Sequence, residues 1–411
     1  MIESLLGLAF YLTFFAAQGG IGTVIQMAAL VVIAGVAVYA LMMRRFEPAP
    51  LSAAEVVMHL LGISYVIVGV FGEENVVFVS MAFLTTVISM SIVCRAISLE
   101  ALLDTCGRVA LAGIVTIIVV DHQAAATALA SGLHGGRAGI VRFMPLGLHP
   151  DLTGYVFGVC AWLMARRVIL ASHVLERVAM VGGMLAACVF VLAASSRSSL
   201  IALVASTGVA VFIEYGFVRL FSLRWVRFVS VFAVIAGLAL SGKIAAFVST
   251  MLELDSSARG LSSGGTGRTE LWARGILAFF QDPIIFLFGG GFRSSSPEEI
   301  GFFTESSYIS ILLDSGAFLG AAVIVVFCYA PLKALKIVPR GEMHASPLIL
   351  LTSLMTFVIV ESVFNRYLLA IGNPASLMSL MILLALSLRP NAAAVGPAVP
   401  QQWTPAQRTS T

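Results

Sequence analysis

Residues 174–218 read VLERVAMVGGMLAACVFVLAASSRSSLIALVASTGVAVFIEYGFV. Two apolar runs are divided by a short polar turn, Ser195-Ser196-Arg197-Ser198-Ser199. An α-helix needs about 20 apolar residues to cross about 30 Å of hydrocarbon, and a helix satisfies its own backbone polar groups there. The stretch therefore predicts two membrane-spanning helices, 174–194 and 198–218, joined by a tight hydroxyl-rich turn that carries one cation.

The same pattern recurs on either side. Further spans are expected at 3–18, 20–42, 54–71, 76–94, 103–120, 152–168, 226–248, 306–330, 346–364 and 367–388, giving an all-α integral membrane protein of about twelve helices. Composition agrees, since 59% of the 411 residues are hydrophobic and only 11% are charged, whereas a soluble domain is roughly a quarter charged. The N-terminus, Met1-Ile2-Glu3, enters its apolar run without the basic residues of a cleavable signal peptide and is read as a retained helix. A net charge of +3 gives no support to nucleic-acid binding.

The cysteines (Cys94, Cys106, Cys160, Cys188, Cys328) fall in or beside apolar spans without a CxxC, and the histidines form no HxxxH or HxH pair, so no metal or other cofactor is expected.

With this many spans the loops alternate between two sides, and the 24 Lys and Arg sort unevenly between them. The richer side includes both termini, which the positive-inside rule assigns to the cytoplasm. The poorer, outer side holds Arg137, Arg142, Arg197, Lys243, Arg259, Arg268, Arg274, Arg293 and Arg366. These cations run against the topological bias and call for another reason. Most lie in two long connections, 121–151 and 249–305, or in the Arg197 turn. The chain thus divides into helices 1–9 (1–248), a large outer loop (249–305), helices 10–12 (306–388) and a tail (389–411) whose Ala, Pro, Gln and Thr suggest disorder.

Within the large loop, Thr269–Asp282 sets Trp272, Ile276, Phe279 and Phe280 at helical spacing before Pro283, which predicts an amphipathic helix in the membrane interface. Gly289-Gly290-Gly291 follows, a turn whose backbone can approach a ligand.

Arg197 reads either as an interfacial arginine snorkelling from a helix end or as an anion site. Arg268 reads either as an exposed loop charge or as part of an anion pocket, since it stands directly before a predicted helix whose unpaired N–H groups add to its own charge. Glu305 can be solvated, neutralise a nearby arginine or act as a general base. Glu361 and Arg366, at the outer end of the eleventh span, are expected to form a structural polar cluster.

Four stretches together resemble the O-antigen ligase and Wzy-type polysaccharide polymerase superfamily. They are Gly147-Leu148-His149-Pro150-Asp151-Leu152-Thr153-Gly154, Ser196-Arg197-Ser198, Gly267-Arg268-Thr269-Glu270-Leu271-Trp272, and Glu305-Ser306-Ser307-Tyr308 with Asp314-Ser315-Gly316. The resemblance covers residues 140–370. It implies a GT-C-like, inverting, metal-independent glycosyltransferase of the bacterial inner membrane. Such an enzyme works at the periplasmic face on a polyprenyl-diphosphate-linked glycan donor and a glycan acceptor, alongside a flippase and chain-length or export proteins.

Arg197 and Arg268 match the family's diphosphate-holding arginines, and Arg293, after the triple glycine, reads either as a further diphosphate ligand or as a solvated or lipid-headgroup contact. Glu305 stands where ligases carry histidine, which favours a polymerase of exopolysaccharide or O-antigen over a ligase that attaches glycan to lipid A core. Arg142, His149, Tyr308, Glu361 and Arg366 complete the candidate set, with His149 read as structural in its helix start. A transporter or lipid flippase, the reading from another class, would need repeat symmetry and ionisable groups at helix midpoints. Neither pattern is visible here.

Overall fold

The computed structural model describes residues 1–17, 21–45, 50–71, 74–134, 141–215, 268–295, 300–302, 304–337 and 347–388. The expected ninth span (226–248), Arg137, Arg259 and the tail after residue 388 lie outside the described residues. Among those described, every regular element is helical: α1 (Ile2–Leu12), α2 (Gly22–Met42), α3 (Ala53–Val70), α4 (Glu74–Ala96), α5 (Leu99–His134), α6 (Pro150–Leu170), α7 (Val174–Ala193), α8 (Arg197–Tyr215), α9 (Arg268–Gln281), α10 (Pro283–Phe288), α11 (Ser307–Ile337), α12 (Pro347–Phe364) and α13 (Pro374–Ser387). Among the described residues, eight helices are long and apolar enough to cross a membrane, and three further apolar ones are shorter. The chain is a multi-pass membrane protein.

α6 and α13 are buried along nearly their whole length and form the centre of the bundle. The helices around them turn large apolar side chains outward, among them Val24, Val31, Leu175, Val204 and Phe318. That surface suits hydrocarbon. Charged groups gather at two ends of the bundle. One end, called here the far end, holds the start of α3, where Ser52 and Glu55 form a capping box, and the ion pair of Glu55 with Arg95 at 2.8 Å. It also holds Asp104, paired with Arg166 (2.9 Å) and Arg167 (2.8 Å). The other, the site end, holds the starts of α6, α8 and α11 and the ends of α7 and α12.

Three departures from the expected spans shape the site end. The connection expected over 121–151 is helical as far as His134, because α5 continues past Asp121, where the backbone breaks from helical geometry (φ −120°, ψ 18°). Residues 99–120 alone extend about 33 Å at 1.5 Å per residue, enough for the crossing. The last span begins at Pro374 rather than 367, since residues 365–373 fold as irregular turns and Asn373 caps α13 by accepting from the Ser376 N–H at 2.9 Å. α13 is thereby about 21 Å long and leaves its upper level to those turns.

The third departure is in the large loop. The expected amphipathic helix is present as α9, with Ile276, Leu277 and Phe280 exposed. Pro283 ends it and also starts the next helix: Asp282 caps α10, its carboxylate accepting from the N–H groups of Ile284 (2.7 Å) and Ile285 (3.3 Å). The glycine turn beyond α10 packs against backbone, not toward an open ligand space. α11 is broken at Gly316 (φ 76°), and Gly290 and Gly291 donate their N–H groups to the carbonyls of Leu313 (2.9 Å) and Asp314 (3.0 Å). Both partners must be glycine: a Cβ on Gly289 would lie 2.3 Å from the Asp314 carbonyl oxygen, and one on Gly316 2.5 Å from that of Leu287. Phe292 then inserts between α3 and α4, with its ring 5.2 Å from those of Tyr65 and Phe83. The segment 289–295 is a wedge driven into the bundle, and the N–H groups of Gly289, Gly290, Gly291, Ser294 and Ser295 all donate to protein acceptors, as a membrane interior requires.

Candidate functional site

The site is built on the first turn of α6. The chain arrives there through Arg142, Phe143 and a 3-10 turn, Pro145–Gly147, pinned by the Leu146 N–H donating to Asp121 Oδ2 at 2.8 Å. His149 is the N-cap, with its Nδ1 accepting from the Asp151 N–H at 3.3 Å. Pro150 supplies the fixed φ of a first helical residue. Asp151 follows, and an acid in a first turn is stabilised by the positive end of the helix.

Asp151 receives two arginines, one on each oxygen. Arg142 Nη2 lies 2.6 Å from Oδ1 and Arg268 Nη2 lies 3.1 Å from Oδ2. Arg142 is held a second time, its Nε donating to the Ala194 carbonyl at 3.0 Å. Arg268, the first residue of α9, also faces Glu305 Oε2 at 3.8 Å. Glu305 is positioned by its backbone, whose carbonyl accepts from the Trp272 indole at 3.2 Å, and the Trp272 ring lies 6.0 Å from that of Phe364 at the end of α12.

Arg197 opens α8 beside this group. The approach of α8 to α6 depends on Gly154, where a Cβ would lie 2.2 Å from Ser199 Oγ and 2.6 Å from Ser196 Cβ. The first turn of α8, which Arg197 opens, is secured through Glu361, which is 1% exposed. Its Oε1 accepts from the hydroxyls of Ser198 (3.1 Å) and Ser199 (2.9 Å) and from the Asn365 amide. Its Oε2 is buried with no hydrogen-bond partner among the described residues. The Asn365 carbonyl in turn accepts from the Ser307 N–H at 2.9 Å, which ties the end of α12 to the start of α11. Two polar groups thus meet at this end: one joins the starts of α6 and α9, the other the starts of α8 and α11 with the end of α12.

Backbone strain concentrates here. Of the five described non-glycine residues with positive φ, Leu146, Ser195, Arg293 and Glu305 (φ 52°, 51°, 67° and 49°) lie at this end, three of them in the segments that carry the charged group. Sparsely populated conformations of this kind persist where surrounding structure imposes them and often mark functional segments.

The expected residues separate into groups. Arg268, Glu305, Arg142 and His149 come together around Asp151. Arg197 and Glu361 form the adjoining layer, with Glu361 engaged by Ser198, Ser199 and Asn365. Arg366 is near enough for its charge to act on His149 and on Tyr367. Tyr308 serves the scaffold, its hydroxyl donating to the Ile359 carbonyl at 2.8 Å.

Arg293 does not join this group: its side chain is exposed, and the turn it follows is packed into the wedge beside Asp314, whose carboxylate accepts from the Ser295 N–H at 2.8 Å and the Ser294 hydroxyl at 3.0 Å. Asp151 is the residue sequence reasoning passed over. Its place after Pro150 at a helix start was visible, but its two partners lie 9 and 117 residues away.

Outside the spans, burial is the largest cause lowering the pKa of His149 below its ordinary value, with Arg142 and Arg366 adding to it against Asp151 and Glu305. Burial likewise raises the Tyr367 hydroxyl above its usual range. Among the described residues, no three His, Cys, Asp or Glu side chains are grouped to hold a metal ion. The cations of this site are guanidinium groups, those of Arg142, Arg197, Arg268 and Arg366. No protein-family model matches the chain, and no curated protein matches it.

Proposed function

We propose that this chain is an inner-membrane glycosyltransferase that polymerises oligosaccharide units carried on polyprenyl diphosphate. The observation that carries the reading is the convergence of Arg142 and Arg268, from distant segments, on the two oxygens of one carboxylate, with Arg197 at the adjoining helix start and Glu305 at 3.8 Å. Guanidinium pairs in this arrangement suit the oxygens of a diphosphate. The motif resemblance at Arg197, Arg268 and Glu305 points the same way. Arg95, Arg166, Arg167 and Arg177 gather at the far end, which the positive-inside rule assigns to the cytoplasm and the site end to the periplasm.

In the reaction, an acceptor hydroxyl oxygen attacks the anomeric carbon of the donor as the bond from that carbon to the diphosphate oxygen breaks. The electron pair leaves with polyprenyl diphosphate, and inversion follows from attack opposite the leaving group. Arg268 and Arg197 stabilise the charge that develops on the diphosphate, the kind of preorganised electrostatic assistance that dominates many enzymes. The Glu305 carboxylate takes the hydroxyl proton. The exposed apolar ridge of α9 and α10, which includes Phe280, Ile284 and Phe288, would lie in the outer leaflet and hold this wall of the site at the level of a lipid-borne substrate.

The test is polymer length on a gel from a producing cell. Arg197→Ala and Arg268→Ala, each with the protein present in the membrane, should abolish long polymer. Undiminished polymer from both variants overturns the reading.

A further inference from the structure

We infer that Asp151 is an internal counter-anion: it occupies the position of the ligand's anionic group and yields Arg268 to that group on binding. This rests on the reading of the site as one for a diphosphate.

Asp151 gives one oxygen to each of two guanidiniums, at 2.6 and 3.1 Å. A phosphoryl group offers its oxygens in the same way. The two arginines are not held alike. Arg142 has a second anchor in the Ala194 carbonyl, to which its Nε donates at 3.0 Å. Arg268 joins the group from the first residue of α9, and among the described residues its ion pairs are with Asp151 and, at the longer distance of 3.8 Å, Glu305.

An arriving anion can therefore take Arg268 without dismantling the α6 start, because Arg142 keeps Asp151 neutralised throughout. The exchange trades one charge-assisted contact for another and leaves no buried charge unpaired, which is the costly outcome. It also makes the site selective. A weakly charged anion cannot displace a carboxylate already held in good geometry, whereas a diphosphate brings more charge and more acceptor oxygens. Selectivity for diphosphate over monophosphate then resides in Asp151, which repels the weaker competitor by occupying its place.

The experiment is calorimetric titration of the purified full-length chain in lipid nanodiscs with inorganic pyrophosphate, and separately with inorganic phosphate. Asp151→Asn should tighten pyrophosphate binding about tenfold, a change of the size one lost competing contact produces, and should tighten phosphate by a larger factor, so that discrimination falls. Asp151→Glu, which restores the charge, should bind no more tightly than the wild type. Glu270→Gln, which removes an exposed carboxylate from α9, controls for overall charge and should change little.

Unchanged or weaker binding by folded Asp151→Asn overturns the inference, as does equal tightening by Glu270→Gln. If Asp151→Asn alone does not reach the membrane, Arg142→Gln combined with Asp151→Asn removes the uncompensated charge. That double variant must then bind more tightly than Arg142→Gln by itself. Transfer activity is read separately: loss of the glycosyltransferase reading with the pyrophosphate pattern intact leaves the counter-anion standing, and polymer formation without the tightening removes the counter-anion alone.

Discussion

The two ends of the bundle carry charged groups of the same composition. At the far end Asp104 lies between Arg166 and Arg167, and Glu176 pairs with Arg167. At the site end Asp151 lies between Arg142 and Arg268, and Glu305 faces Arg268. What differs is the scaffold. Asp104, Arg166, Arg167 and Glu176 all sit on regular helix, α5, α6 and α7, and the charges lock neighbouring helix ends together. At the site end the chain enters through Leu146, Ser195 and Glu305 in left-handed conformations, the aspartate sits on a first turn, and one arginine arrives from a helix more than 100 residues away. Identical charges on rigid rods make a clamp. On strained turns and helix starts they make a group of cations whose partners can change.

The largest effect that should separate the two is on turnover. Arg268→Ala should lower polymer synthesis by about a thousandfold, the upper range for removing one preorganised donor to a developing charge. Arg166→Ala should lower the amount of protein in the membrane while each surviving molecule keeps its activity. Equal loss of specific activity in both variants would erase the distinction between the two ends.

Glu305→Gln should follow at about a hundredfold, within the usual range for a lost general base, with pyrophosphate binding retained. Glu305→His should restore much of the rate and move the acid limb of its pH profile upward, because imidazolium is a weaker acid than a carboxylic acid and the base must be deprotonated to work. A profile that does not move between the wild type and Glu305→His, at matched expression, would assign the proton to another group.

Stability should show the reverse preference. Asp104→Ala leaves Arg166 without its partner and should lower the stability of the purified chain by about 1–3 kcal/mol. Asp104 is 31% exposed, so solvent replaces part of what is lost. A thermal melt in detergent measures it, and activity per folded molecule should hold.

How much of this could be read from the chain varies with the range of the interaction. The spans were legible because membrane burial is a local demand, met by runs such as 174–194 and written in composition alone. The start of α9 was legible from Arg268 and the spacing after it. The site's hub was not. Asp151 looks like any first-turn acid until Arg142 and Arg268 are brought to it, and nothing within one helix of it indicates a second guanidinium.

The wedge was half legible. Gly289, Gly290 and Gly291 marked a close backbone approach, but the partner was the equally bare backbone around Gly316, a match that only the fold can make. Arg293 shows the cost of reading charge without depth. Its neighbours Phe292 and Ser295 are buried in the wedge while its own side chain is turned outward.

The smallest expected effect concerns the cap on which the site is built. His149 accepts from the Asp151 N–H, and burial first, with Arg142 and Arg366 second, lowers its pKa. A histidine whose folded pKa lies below its unfolded value costs stability as pH falls, because the unfolded chain takes up a proton that the folded chain resists. The loss begins near the unfolded value of about 6.5 and is complete once pH passes below the folded pKa. His149→Asn keeps a capping acceptor, since asparagine is among the best N-caps, and removes the titration. Melting temperatures should therefore agree at pH 7.5, and at pH 5.5 the wild type should fall further than the variant. The ring keeps an exposed edge, so the difference should be small beside those above. A parallel fall in the two proteins would mean that the α6 start carries no proton-linked strain and that the arginines around Asp151 act on that carboxylate alone.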